Sequence, residues 1–163
     1  MDQADRPLAV IDLDGVVADV RHRLHHLDAK PRDWDGFFAG IPDDPVLAEG
    51  RAVVEQLAPD HEIVYLTGRP ERTRAATEAW LRRHRFPQGR LIMRSEHDRR
   101  PARVTKPNLL RRLADDGRRV AVIVDDDPEV CAALTRAGWP VLVADWMTRP
   151  DALRAAQERL GGT

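Results

Sequence analysis

Asp12 and Asp14 stand two residues apart at the end of an apolar run, Leu8-Ala9-Val10-Ile11, and Gly15 follows at once. The run reads as a short buried strand that delivers paired carboxylates to its C-terminal edge. Positions i and i+2 of a strand share a face, so both acids are expected in one crevice. Carboxylates that close repel unless a cation or a shared proton intervenes. The simplest tenant is a hard divalent ion with oxygen ligands, Mg²⁺. A plainer reading is a turn, because Asp and Gly are common turn residues. A calcium loop would need further acids, but Val16, Val17 and Ala18 stand where they belong.

Three other places carry chemistry. Thr67-Gly68-Arg69 follows the apolar run His61–Leu66 and precedes Pro70. A hydroxyl and a glycine amide before a helix start make a natural anion site, and Arg69 offers a bidentate phosphate contact. Thr67 equally suits the N-cap region of that helix. Asp125-Asp126-Asp127 closes another apolar run, just before Pro128. Asp127 suits the N-cap, which needs one acid only. Asp125 and Asp126 lie earlier, at the strand's edge, and read as further ligands for the same cation. Lys106 stands near a helix start, where its charge opposes the helix dipole. A task such as holding a carboxylate and a phosphate explains it better, and Pro107 makes helical geometry at Lys106 unfavourable.

These residues need elements to hold them. Short β-branched runs at 7–13, 61–66, 90–93, 119–124 and 140–144 read as strands. Helical stretches at 45–58, 70–84, 104–116, 128–137 and 150–160 alternate with them, the last ended by Gly161-Gly162. Such alternation implies right-handed βαβ units. The expected fold is α/β, a three-layer, doubly wound, Rossmann-like parallel sheet of about five strands. Ligands in such folds sit beyond the carboxyl ends of the strands, at a switch point. Residues 15–44 are irregular and form a small cap or flap insertion after strand one, within one domain spanning 1–163.

Composition sets outer bounds. A chain of 163 residues has room for one sizeable core. A net charge of −1 shows no whole-chain bias toward nucleic acid or anionic membrane. The 42% hydrophobic content argues against disorder, although 33% of residues are charged. No apolar run approaches the ~18–20 residues of a membrane span. The start, MDQADRP, is unlike a secretory signal, and Cys131 is the only cysteine. Both fit a reducing cytoplasm.

The order of the pieces is D-x-D-G, then T-G-R, then a lysine, then D-D. It resembles the haloacid dehalogenase (HAD) superfamily over nearly the whole chain. The resemblance implies that Asp12 is a nucleophile that forms an aspartyl-phosphate. It implies that Asp14 is the general acid and then the base. It implies Mg²⁺ held by Asp12, the backbone carbonyl of Asp14 and Asp125, with Asp126 close by. Thr67 would bind the transferring phosphoryl group, and Lys106 would neutralise charge between it and Asp12. Dehalogenases of the superfamily lack the second acid, so Asp14 argues for phosphate chemistry.

A narrower likeness runs through DLDGVVADVRHRLHHL, RDWDGFF, VYLTGRPERTR, RSEHDRRPARVTK and VDDDPEVCAALTRAGWPVLVADW. These stretches resemble the phosphatase half of phage polynucleotide kinase/phosphatase proteins, which remove 3′-phosphates. The kinase loop G-x-x-x-x-G-K-[ST] is missing from the sequence. Arg100 is the alternative to Lys106 for the basic role. Thr67, Gly68, Arg69, Arg23 and Arg100 are the expected substrate contacts. The expected partner is a nucleic acid end or a phosphorylated small molecule, and no membrane.

Other features read more plainly. Trp34, Phe37 and Phe38 suit either base stacking or, by preference, a small core within 15–44. His22, His25 and His26 lack the spacing and the cysteines of a zinc site. Trp80 and Cys131 read as core. Trp146 falls near the rim of the site. Arg90, Arg94, Arg99, Arg100 and Arg103 make the middle segment basic, which suits a polyanionic substrate. A phosphatase for an unrelated metabolite is the second reading. A receiver-like signalling module is the third, weakened because Met93-Arg94-Ser95 lacks the acid that a receiver carries after strand three.

Overall fold

A computed structural model of the protein describes residues 6–159. The stretch 1–5 and the expected helix stop at Gly161-Gly162 lie outside them. Five strands, β1 (Leu8–Ile11), β2 (Glu62–Pro70), β3 (Arg90–Arg94), β4 (Val120–Asp125) and β5 (Val141–Val143), form one parallel sheet. Their order is β3-β2-β1-β4-β5. The expected α/β architecture is the one observed.

Every residue of β1 is buried, as a central strand flanked by helices on both faces must be. Its side chains alternate between two cores. Ala9 and Ile11 pack with Val54 of α3 (Ala48–Leu57) and Trp80 and Leu81 of α4 (Arg74–Arg83). Leu8 and Val10 pack with Leu110 of α5 (Ala102–Asp115) and Val130 and Leu134 of α6 (Pro128–Arg136). The chain reverses its direction of travel across the sheet between β1 and β4. The loops that leave the carboxyl ends of β1 and β4 part in opposite directions there and leave a crevice.

After Asp14 the chain turns back sharply at Gly15, whose φ is +81°, a left-handed conformation that glycine adopts without strain. A narrow stem follows. Asp19 N donates to Pro45 O at 2.8 Å, and Leu47 N donates to Val17 O at 2.9 Å. Between these points lie α1 (His25–Asp28) and α2 (Trp34–Ala39), with 3-10 turns at Arg21–Arg23 and Ile41–Asp43. Val20, Leu24, Leu27, Phe37, Phe38 and Ile41 build a third core. Trp34 packs against it, stacked on Phe38 with ring centroids 5.8 Å apart. The aromatic residues are therefore structural in this fold. That core also takes Leu153 and Ala156 from a closing helix, α7 (Asp151–Arg159), a partner the sequence pattern does not announce.

Element boundaries depart from expectation where proline is involved. Pro45 lies outside α3, which begins at Ala48. Pro70 ends β2, pairing with Arg94, instead of starting a helix. A 3-10 turn at Glu71–Thr73 intervenes before α4, and Thr73 is the N-cap residue. Thr67 therefore caps no helix, and the Thr67-Gly68 pair is not set against a helix N-terminus. Lys106 is helical despite the proline after it, because Pro107 falls inside α5. Near a helix start the donor lost at proline deprives only an early carbonyl, Arg103 O, of its bond. The contacts of Lys106 described below favour that placement. Asp127 is the N-cap of α6 as expected, accepting from Glu129 N at 3.0 Å.

Candidate active site

Asp12 follows β1 directly and is tied to β4, its N–H donating to Val124 O at 2.9 Å. Asp125 is the last residue of β4. Adjacent parallel strands thus bring acids more than a hundred residues apart in sequence to one edge. Asp12, Asp125 and Asp126 are all buried, and each offers a carboxylate oxygen within 4.8 Å of the others. Lys106 reaches in from α5. Its Nζ lies 2.5 Å from Asp125 Oδ2 and 3.2 Å from Asp12 Oδ1.

Lys106 alone does not balance three buried carboxylates. Burial, reinforced by Asp125 and Asp14 and opposed by Lys106, pushes the Asp12 carboxyl up to about 7. Burial together with Asp12 and Asp125 pushes Asp126 well above the usual carboxylate range. Burial would lower Lys106, but Asp12 and Asp125 outweigh it and raise it above the ordinary lysine value. Both oxygens of Asp126 are buried and lack a hydrogen-bond partner among the described residues. A buried unsatisfied carboxylate is costly and calls for an ion or a proton. A Cβ at Gly15 would fall 2.1 Å from Asp126 Oδ2, so only glycine leaves that oxygen its place. Three hard oxygen donors without sulfur or imidazole fit Mg²⁺.

Asp14 does not join this cluster. Its carboxylate turns instead to two buried arginines. Arg69 Nε and Nη2 donate to Asp14 Oδ1 at 2.9 and 2.5 Å. Arg23 Nη2 lies 3.5 Å from the same oxygen. Burial raises the Asp14 pKa, but the guanidiniums of Arg69 and Arg23 outweigh it and hold the carboxyl below its ordinary value. The alternation expected of a continuing strand fails because β1 ends at Ile11 and the chain curls at once.

Asp44, which carries no motif, links the two arginines. It accepts from Arg23 Nε at 2.7 Å, Arg23 Nη2 at 2.9 Å and Arg69 Nη2 at 3.0 Å. His22 Nε2 lies 2.7 Å from Asp44 Oδ1. The Asp44 carbonyl accepts the Trp80 indole N–H at 2.8 Å, which anchors the returning stem to the core. The one sequence signal for Asp44 is an acid pair just before a proline. His25 and His26 are engaged elsewhere, His26 with Asp33 at 2.8 Å.

Thr67 is buried in β2, and its Oγ1 accepts from Arg69 N at 3.1 Å. Thr67, Gly68 and Lys106 line a cavity of about 300 Å³. Arg94, Arg100 and Arg112 line it as well, with Glu71 and Asp98 as opposing charges and Met93 and Leu109 as apolar surface. Arg94 Nε donates to Gly68 O at 2.9 Å and so braces the T-G-R segment. Arg100 is exposed and paired with Asp98 at 2.7 Å, away from Asp12. The structure thus joins Lys106, and not Arg100, to the acid cluster. Trp146 donates from its indole to Val16 O at 2.9 Å, a structural bond. The Cys131 thiol is buried and pushed up to about 12 by that burial. A further residue without a sequence signal, Arg149, approaches Asp126 at 3.5 Å.

A family model described as the polynucleotide kinase PNKP phosphatase domain matches residues 7–145. No curated protein matches the chain in sequence. Among solved structures, a chain of the Pnkp1/Rnl/Hen1 RNA repair complex superposes with a TM-score of 0.70 at 20% identity. That match covers 85% of this chain and 42% of the other. A haloacid dehalogenase-like hydrolase from Streptococcus pneumoniae superposes at 0.64 with 14% identity, covering 97% of this chain and 93% of that one. A HAD family enzyme from Bacteroides thetaiotaomicron, in complex with magnesium and inorganic phosphate, superposes at 0.52 with 10% identity, covering 88% and 96%. The chain spans less than half the length of the repair-complex chains it matches, 42% and 48%. No helix among the described residues is long and apolar enough to cross a membrane.

Proposed function

Since the chain belongs to the PNKP phosphatase-domain family of the HAD superfamily, and is therefore a phosphatase, we propose that it transfers a phosphoryl group to Asp12 and then to water. The observation that carries this reading is the placement of Asp12 beside Lys106 and within 4.8 Å of Asp125 and Asp126. Phosphoryl transfer is mostly positioning and charge neutralisation, and this is where the molecule concentrates both. An Asp12 oxygen attacks phosphorus, the bond to the leaving oxygen breaks, and an aspartyl-phosphate results. Asp14 protonates the leaving oxygen. It then accepts a proton from the water that attacks phosphorus, which frees Asp12 and inorganic phosphate.

Asp14 rests ionised because Arg69 and Arg23 flank it. An incoming phosphate dianion offsets those guanidiniums and returns the acid's affinity for a proton. Thr67 and Gly68 hold the transferring group, and Lys106 neutralises charge between it and Asp12. Arg69 and Arg23 act on Asp14. Asp12, Asp125 and Asp126, with the backbone carbonyl of Asp14, would hold Mg²⁺. Bound there, it would supply positive charge that offsets repulsion between Asp12 and the phosphoryl group.

The proposed substrate is a nucleic acid 3′-phosphate end or a nucleotide. Arg94, Arg100 and Arg112 around the cavity support a second anionic group beyond the reacting one. Residues 15–44 serve as a small cap, held in place by the third core. Such a cap is short enough to leave room for a polymer end, and the proposed setting is the cytoplasm. The test compares 3′-phosphorylated oligonucleotides with a panel of sugar and small-molecule phosphates, with and without Mg²⁺. Preference for the oligonucleotide, with turnover lost on chelation, is expected. Faster cleavage of sugar phosphates overturns the substrate class. An absence of turnover on every phosphomonoester overturns the reaction.

A further inference from the structure

Beyond β5 the chain runs through Trp146-Met147-Thr148-Arg149-Pro150 into α7. All of this lies past residue 145, where the family match ends. The segment nevertheless reaches the acid centre. The Arg149 side chain is 9% exposed, and its Nε lies 3.5 Å from Asp126 Oδ2. Its Nη2 lies 3.6 Å from Asp127 Oδ1 and donates to Oε1 of Gln157, a buried residue of α7. Neither approach to an acid closes into a hydrogen bond. Arg149 Nε and both Asp126 oxygens are buried and lack hydrogen-bond partners among the described residues. A guanidinium held this way supplies charge while leaving the carboxylate lone pairs free. Lys106 serves Asp12 and Asp125 at closer range, its Nζ donating to Asp125 Oδ2 at 2.5 Å. Among the described residues, Arg149 is the cationic side chain within ion-pair distance of Asp126.

We propose that Arg149 is a positioning residue that acts through Asp126: it is the counter-charge of the metal-free centre and lowers that centre's affinity for a divalent cation. The inference rests on reading Asp12, Asp125 and Asp126 as a cation site. A fixed positive charge a few ångströms from a bound divalent ion repels it strongly in a buried site. The same charge offsets carboxylate repulsion when the ion is gone. Gln157 anchors the guanidinium, so the docking of α7 sets the cation affinity of the site. The ion is thereby held in an exchangeable range by residues beyond the stretch that the family model matches.

The experiment is calorimetric titration of Mg²⁺ alone into the full chain, in mildly alkaline buffer and without substrate. Arg149→Gln and Arg149→Met remove the charge, and Arg149→Lys keeps it. Both neutral variants are expected to bind Mg²⁺ at least about fivefold more tightly than the unsubstituted protein. They also start from a lower metal-free melting temperature. Arg149→Lys stays within about twofold of the unsubstituted protein. If one neutral variant does not fold, the other carries the comparison. Unchanged or weaker binding in the neutral variants overturns the inference. So does a shift in Arg149→Lys as large as in Arg149→Gln, which would make the fork rather than the charge responsible. A protein that binds no Mg²⁺ in any form overturns the cation site itself. Equal Mg²⁺ binding by the unsubstituted protein and the Arg149→Gln variant overturns only the role of Arg149, which keeps the two failures apart.

Discussion

Two clusters of buried acids lie side by side at the carboxyl end of the sheet, and they are built on opposite principles. The Asp12, Asp125 and Asp126 cluster is short of positive charge, and Asp126 has no hydrogen-bond partner among the described residues. The Asp44 cluster is saturated, its carboxylate taking two arginines and a histidine at 2.7–3.0 Å. Burial is the same in both. A saturated buried pair fixes geometry, because every partner constrains the others. An unsaturated one leaves lone pairs for something from outside. Asp14 stands between the two, with Oδ1 held by Arg69 and Oδ2 unpartnered among the described residues. That division suits a group positioned by one cluster and used at the other.

Substitutions of Asp by Asn test the contrast, because they change charge at nearly constant shape. Asp12→Asn has the largest expected effect. Turnover of p-nitrophenyl phosphate with Mg²⁺ should fall by at least about a thousandfold while the protein stays folded by circular dichroism. Retained turnover would mean that Asp12 is not the nucleophile. Asp44→Asn, in the saturated cluster, should cost about 3 kcal/mol in denaturant unfolding, since it leaves buried guanidiniums under-paired. A loss below about 1 kcal/mol would show the network to be dispensable to the fold.

Asp126→Asn should act with the opposite sign. Removing one of three mutually repelling carboxylates should raise the metal-free melting temperature by about 2–4 °C, because Asp12 and Asp125 repel Asp126 more than Arg149, at 3.5 Å, attracts it. It should also shrink the further rise on adding Mg²⁺, a rise that Asp44→Asn leaves in place. Equal destabilisation by Asp44→Asn and Asp126→Asn would erase the distinction between the clusters. The smallest effect belongs to Arg100→Gln, an exposed residue of the cavity lining. The KM for a 3′-phosphorylated oligonucleotide should rise about threefold at low salt, and the difference should fade as salt increases. A salt-independent change would remove Arg100 from the electrostatic path of the substrate.

Much of the unsaturated cluster is legible in the chain. Asp12, Asp125 and Asp126 each follow an apolar strand, and strand ends in a doubly wound sheet converge whatever separates them in sequence. Lys106 stands out because it opposes a helix start, although its helical geometry runs against the expectation that Pro107 creates. The saturated cluster is nearly illegible. Arg69 and Arg23 read as phosphate contacts, because no local pattern reveals that Asp44 lies 25 residues from one and 21 from the other in sequence yet bonds to both. The third core has the same character. Phe37 and Phe38 mark an apolar patch, but that it takes Leu153 and Ala156 of α7 is a long-range packing outcome.

Hydrophobic alternation and strand-end acids were enough to specify the sheet, its layers and the edge where chemistry belongs, because those depend on period and on neighbours a few residues away. Which buried charges meet, and which are left wanting a partner, came only from folding. Side-chain direction past the end of a strand, and the approach of Asp44 and Arg149 from distant segments, follow from packing that no local window contains.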